Sequence, residues 1–142
     1  MDNIHASVGY LLNTSARLIK RNLDLLLNEY NITTSQWAVL KLLANQQVLT
    51  QAQIAEALNS DRATCGSVIE RLYKKNMIVK TENKNDRRAY DISLSNQGEE
   101  IIQTLTHLAD ESNNQALSGL SDKDIETLCK LLNCIIDNLE DK

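Results

Sequence analysis

The stretch TQAQIAEALNSDRATCGSVIERLYKKNMIVKTENKNDRRAYDISL, Thr50 to Leu94, decides the fold. Its first half reads as two short helices around a tight turn. Thr50 is a helix cap, and Gln53 stands three residues on, where a capping box places the reciprocal side chain. Ile54, Ala55 and Leu58 then share one face. Asn59, Ser60 and Asp61 interrupt that pattern with residue types that favour turns and N-caps. Cys65, Val68, Ile69 and Leu72 follow at i, i+3, i+4, i+7, the inward stripe of a second helix. Two helices joined by a few turn residues make a helix-turn-helix unit. The second half reads as a β-hairpin: Ile78 to Glu82 is extended, and Asn83 to Asp86 is turn chemistry. Tyr90, Ile92 and Leu94 then alternate with Ala89, Asp91 and Ser93. A helix-turn-helix backed by a hairpin is a winged helix, and this hairpin carries Lys84, Arg87 and Arg88 at its tip.

Outward from that stretch the chain is helical. Residues 6–29 predict a long helix with a wide apolar stripe that includes Val8, Leu11, Leu12, Leu18, Ile19, Leu23, Leu26 and Leu27. The stripe is too wide for a helix lying on one small module, so a covering surface such as a second subunit is expected. Thr33 caps the next helix with Gln36 in the reciprocal position, and Trp37, Val39, Leu40, Leu42 and Leu43 supply core. Val48-Leu49 predicts a short strand pairing with the wing. Ser95 caps a helix over about 96–117, striped by Ile101, Ile102, Leu105, Leu108 and Ala109 and closed by Gly119. Ser121 and Asp124 restart a last helix to about 139, apolar at Ile125, Leu128, Leu131, Leu132, Ile135 and Leu139. The fold class expected is mostly α with a small β-hairpin wing. One domain spans 1–142, its winged-helix core at about 32–94 and its helical arms at about 5–30 and 96–140.

Composition narrows the function. The chain has 142 residues, enough for a real core, with no Pro and only four Gly. No apolar run is long enough to span a membrane, and the first residues lack a basic segment before a long apolar one, so a cytoplasmic protein is expected. Net charge is −4, yet it is unevenly placed. Residues 1–60 balance, residues 61–90 hold eight bases against four acids, and residues 91–142 hold eleven acids against three bases. A basic middle is a localised electrostatic footprint, and the acidic end should face away from any polyanion.

NKNDRRAYDISLSNQGEE, residues 83–100, joins an Asp-x-Arg wing tip to an alternating strand and then to Leu-Ser-x-x-Gly at a helix start. With ITTSQWAVLKLLA at 32–44, it resembles the MarR family of bacterial transcription regulators across roughly residues 5–140. The resemblance implies a homodimer with interlocked arms, acting as a repressor on a pseudopalindromic operator in double-stranded DNA and released by a small-molecule effector. A winged helix used only for protein–protein contact is the alternative, since fold does not fix function. An enzyme is not expected: there are two His, no Gly-x-Gly-x-x-Gly and no Gly-x-Ser-x-Gly.

The second helix of the motif should enter the major groove with its first half at base edges. Arg62 suits a guanine, Thr64 and Ser67 can donate or accept, Ala63 suits a thymine methyl, and Arg71 suits a phosphate. Ala63, Gly66, Ser67, Glu70 and Lys74 are expected outward. Gly66 has two open readings, close approach to DNA or a neutral change. Arg88 should enter the minor groove, held by Asp86, with Lys84, Asn85 and Arg87 on phosphates; the plain alternative is a solvated basic turn. Asn76 stands where the family usually closes a turn with Gly, and Asn also tolerates the left-handed conformation. For an aromatic or phenolic effector the candidates are Tyr10, Arg17 and Trp37, with core as the plainer reading of Trp37. No cofactor or metal is expected, because His5 and His107 are far apart and Cys65, Cys129 and Cys134 lack metal spacing. Buried structural thiols are the expectation for the three cysteines.

Overall fold

The computed structural model describes residues 3–140. Its elements are α1 (Val8–Leu27), α2 (Thr34–Gln46), β1 (Leu49–Thr50), α3 (Gln51–Ala57), α4 (Arg62–Lys74), β2 (Ile78–Glu82), β3 (Tyr90–Leu94), α5 (Asn96–Ala116) and α6 (Asp122–Glu140). It is the winged helix-turn-helix expected, mostly α with a three-stranded antiparallel sheet ordered β1-β3-β2.

The long first helix spans its apolar stripe, Val8 to Leu27, and is two residues shorter at each end than the predicted range. Single 3-10 turns, Ile4–Ala6 and Asn28–Tyr30, stand at its two ends, with Asn31 left-handed at φ 57° closing the second. Both predicted capping boxes form, Thr33 with Gln36 and Thr50 with Gln53. The short strand lies one residue later than expected, because Thr50 is extended and serves both as strand end and as cap of α3. It pairs with the wing through Leu49 opposite Ile92.

The core runs through all the layers. Leu27 from α1 and Leu105 from α5 are buried with Leu40 and Leu43 of α2, Ile54 of α3, Ile69 and Leu72 of α4, and Ile78 and Ile92 of the sheet. The arm α5 is fixed to the winged helix at its first turn. Ser95 Oγ donates to the Asn76 carbonyl at 2.6 Å and accepts from the Gly98 N–H, while the Ser95 N–H donates to the Met77 carbonyl. Gly98 is required there: a Cβ would lie 2.2 Å from the Met77 carbonyl oxygen. That contact explains the Leu-Ser-x-x-Gly motif. Asn76 is left-handed at φ 62°, as its place in the turn demands.

Asp24 joins α1 to α2. It accepts from the Thr34 N–H at 3.2 Å, from the Thr34 hydroxyl, and from Lys20 at 2.8 Å. One N–H left without an intrahelical partner at the start of α2 is thereby satisfied. The last helix is different. No residue of α6 is buried, and Leu128, Leu131, Ile136 and Leu139 are exposed. Val8, Leu11, Leu18 and Ile19 of α1 are exposed as well. The expectation of three buried thiols fails for the same reason: Cys65 is buried, but Cys129 and Cys134 stand exposed on α6. Among the described residues no helix is long and apolar enough to cross a membrane.

Candidate nucleic-acid interface

The turn into α4 is built by two residues. Asn59 is left-handed at φ 52°, which turns the chain after α3. Asp61 then caps α4, accepting the Thr64 N–H at 2.8 Å on one oxygen and the Thr64 hydroxyl at 2.9 Å on the other. These two bonds hold its carboxyl below the usual carboxylate range. The Thr64 hydroxyl proton is therefore engaged, which leaves its lone pairs as an acceptor site.

Burying Cys65, Ile69 and Leu72 fixes the opposite face of α4. Ala63, Ser67, Glu70 and Lys74 are exposed on it, as expected, and Arg62, Thr64 and Arg71 are exposed beside them. Gly66 is not on that face. A Cβ there would stand 2.9 Å from Gln51 Nε2, so Gly66 admits the side chain of α3 rather than a DNA strand. Gln51 in turn donates to the Arg62 carbonyl at 3.4 Å, tying the two helices of the motif together. Burial, and then the Asp61 charge, push the Cys65 thiol up, which suits an inert core sulfur.

At the other edge the wing tip is organised by Asn83. Its side-chain oxygen accepts from the Asn85 and Asp86 N–H groups at 2.8 and 3.0 Å, and its amide nitrogen donates to Asp91 at 2.8 Å. Asp86 accepts from the Arg88 N–H at 2.9 Å and from Arg88 Nε at 3.4 Å. One carboxylate thus aims both the backbone and the guanidinium of Arg88, whose side chain is 92% exposed. Lys84, Asn85 and Arg87 are exposed around it.

The two sets of residues meet. A groove of about 640 Å³ runs between the helix pair and the wing, with Gln51, Ala52 and Arg62 on one side and Asn83, Asp86 and Arg88 on the other. Ile92 is part of its lining, as are Lys80 and Tyr90. Gln51, Lys80, Asn83 and Tyr90 were not among the expected site residues. Tyr90, read as one of an alternating apolar set, is half exposed because it ends the strand beside the groove. Lys80 lies 3.0 Å from Glu70 and 4.7 Å from the Tyr73 ring centre, bracing β2 against α4.

The expected effector residues have separate surroundings. Tyr10 meets His5 edge-on at 5.3 Å between ring centres, Arg17 is exposed, and Trp37 is core, with the Lys41 ammonium 5.9 Å from its ring centre. None of the three lines any of the four clefts described for this molecule. Trp37 has its place filled by packing, Tyr10 is half-buried and Arg17 is exposed on α1.

The MarR family model matches residues 32–90, from the start of α2 through the wing. The winged helix is of the MarR type. The chain is 27% identical over 107 residues to the HTH-type transcriptional regulator FarR of Neisseria gonorrhoeae, covering 75% of this chain and 73% of that protein. It is 28% identical over 102 residues to the HTH-type transcriptional regulator SarZ of Staphylococcus epidermidis, covering 72% and 68%. In three dimensions it is similar to MepR of S. aureus, solved as a DNA complex, with a TM-score of 0.86 and 27% identity over 94% of this chain and 98% of that one. FarR and SarZ are named as transcriptional regulators, and neither is named as an enzyme.

Proposed function

We propose that the chain works as a homodimeric repressor that binds an approximate inverted repeat in duplex DNA and is displaced by a small-molecule effector. One observation carries the DNA half of this reading: Arg62 at the start of α4 and Arg88 at the wing tip border the same groove. A helix start and a cationic finger facing one groove match a duplex entered from both its major and minor sides. In this reading Arg62, Ala63, Thr64 and Ser67 face base edges, with Thr64 accepting rather than donating. Arg71, Lys84, Asn85 and Arg87 meet phosphates, Arg88 enters the minor groove, and Asp86 holds it there. MepR, of similar structure, was solved bound to DNA.

The dimer is supported by apolar surface. A nineteen-residue helix with no buried residue needs a partner for its apolar stripe, and α1 offers an exposed stripe of the same kind. Two copies joined through these arms place their reading helices about one helical turn apart, so half-sites about 10 bp apart are expected. The test is DNase footprinting of the DNA beside its own coding region, with sedimentation of the complex. Protection of two dyad-related half-sites by two chains is the expected result. Protection of a single half-site by one chain, or none in any segment, overturns it.

A further inference from the structure

The start of α4 carries two exposed side chains of opposite hydrogen-bonding character. Arg62 can only donate. A threonine hydroxyl ordinarily donates or accepts as its partner requires, but Thr64 has no such choice. Its Oγ1 stands 2.9 Å from one Asp61 carboxylate oxygen, while the other accepts the Thr64 N–H at 2.8 Å. The Thr64 N–H, and then its hydroxyl, hold that carboxyl below the usual range, so it is ionised at neutral pH. An ionised carboxylate has no proton to share. The proton between the two oxygens is therefore the hydroxyl's own, and Thr64 offers a ligand lone pairs alone. Turning that proton toward a ligand would break the bond and leave a carboxylate oxygen without its donor.

We propose that the Asp61–Thr64 pair sets the sense in which one base pair of the operator is read: the strand facing Thr64 carries adenine or cytosine there, not guanine or thymine. The inference rests on the operator reading and deepens it. In the major groove adenine N6 and cytosine N4 donate, whereas guanine O6 and thymine O4 accept. Every base pair holds one group of each kind. A fixed acceptor therefore separates the two orientations of a pair, A·T from T·A and C·G from G·C, and treats A·T and C·G alike. The Asp61 charge pushes the same way. A carboxylate 2.9 Å behind Thr64 Oγ1 repels a base carbonyl and attracts an amino group. Asp61 is thus a positioning residue, acting through the Thr64 proton.

Asp61→Asn becomes a reversal rather than a loss. The amide oxygen keeps the Thr64 N–H, and Asn remains a good helix cap. The amide nitrogen takes the place of the second carboxylate oxygen and donates to Thr64 Oγ1. That frees the hydroxyl proton for the base, and the repelling charge is gone. Guanine or thymine becomes the favoured base on the same strand.

The full chain is mixed with a pool of random duplexes, and the bound DNA is sequenced for the wild type, Thr64→Val, Thr64→Ser and Asp61→Asn. The pair facing Thr64 is the one whose preference Thr64→Val levels. There the wild type should favour A·T and C·G, written on one strand, about fivefold over T·A and G·C. Thr64→Ser should keep that sense, and Asp61→Asn should reverse it. Purine in place of the favoured adenine removes the amino group alone. It should cost the wild type about fivefold in affinity and Thr64→Val nothing. The proposal is overturned if Thr64→Val levels no pair, if A·T is grouped with T·A or with G·C, if purine replaces adenine without loss, or if Asp61→Asn keeps the wild-type sense. Should Asp61→Asn enrich no sequence, Thr64→Ser and the purine duplex decide. A wild type that enriches nothing overturns the operator reading and this inference with it; selection without the expected grouping overturns this inference alone.

Discussion

The Lys80 ammonium lies 3.0 Å from the Glu70 carboxylate, across the gap between the wing and the reading helix. Glu70 is the one acid within α4, on a surface meant to meet phosphates. Lys80 neutralises it and rests on the Tyr73 ring. Lys80→Met should therefore weaken DNA binding about tenfold, by removing a groove cation and freeing a repelling charge. Glu70→Gln in the same chain should restore part of that loss. A double-mutant cycle measured by fluorescence anisotropy reads the coupling, expected at about 0.5 kcal/mol for a partly exposed pair. Strictly additive losses would show that the pair does not act as a unit.

Arg88→Ala should weaken binding to every sequence and lower the slope of log K against log salt by about one. Asp86→Ala is the sharper variant. It removes a negative charge from the DNA side, yet should also weaken binding, because Arg88 loses the acceptor that aims it. Tighter binding by Asp86→Ala would mean that the carboxylate only repels DNA.

Two glycines should respond in opposite directions. Gly98→Ala drives a methyl to 2.2 Å from the Met77 carbonyl oxygen, a backbone atom that cannot swing aside, and should destabilise by about 1–3 kcal/mol. Gly66→Ala meets only the mobile end of Gln51 and removes a mid-helix glycine, so it should stabilise by about 0.5 kcal/mol. Urea midpoints of the two variants check both signs.

Acid should loosen two helix starts. Asp61 is held below its ordinary pKa by bonds from Thr64. For Asp24 burial works against ionisation, but the hydrogen bonds from Lys20 and Thr34, with the Lys20 charge, outweigh it. A carboxyl with a lowered folded pKa contributes stability that is fully present above its unfolded value, about 3.9. That contribution is lost as pH falls through the folded value. Urea midpoints should be flat from pH 7 to 5 on this account and fall below pH 4. In Asp61→Asn, which still caps, the fall should be smaller.

Leu131→Glu places a charge in the middle of the exposed stripe of α6. It should leave the winged helix folded, shift sedimentation to the mass of one chain, and cost DNA affinity about 100-fold as the half-sites become independent. An unchanged sedimentation coefficient would show that α6 is not part of the dimer contact.

Local chemistry was legible in the sequence wherever the deciding partner lies a few residues away. Thr33 with Gln36, Thr50 with Gln53, the left-handed Asn76 and the Asp86–Arg88 pair all form within one turn of chain. What escaped depends on distant partners. Gly66 is explained by Gln51, fifteen positions earlier, and Lys80 by Glu70 across two elements. Periodicity marked the stripe of α6 but not its covering, so the exposed Cys129 and Cys134 were read as core. Tyr10, Arg17 and Trp37 share no cleft, because residue type alone does not bring α1 and α2 side chains to one cavity.

The anchorage of Ser95 to Asn76 and Met77 makes the first turn of α5 a fulcrum. From there α5 extends for twenty-one residues, about 31 Å. A swing of about 5° about that point carries the far end roughly 3 Å, for a rod of that length. Read backwards, a few ångströms of travel where two chains grip each other become a small rotation beside the return strand of the wing.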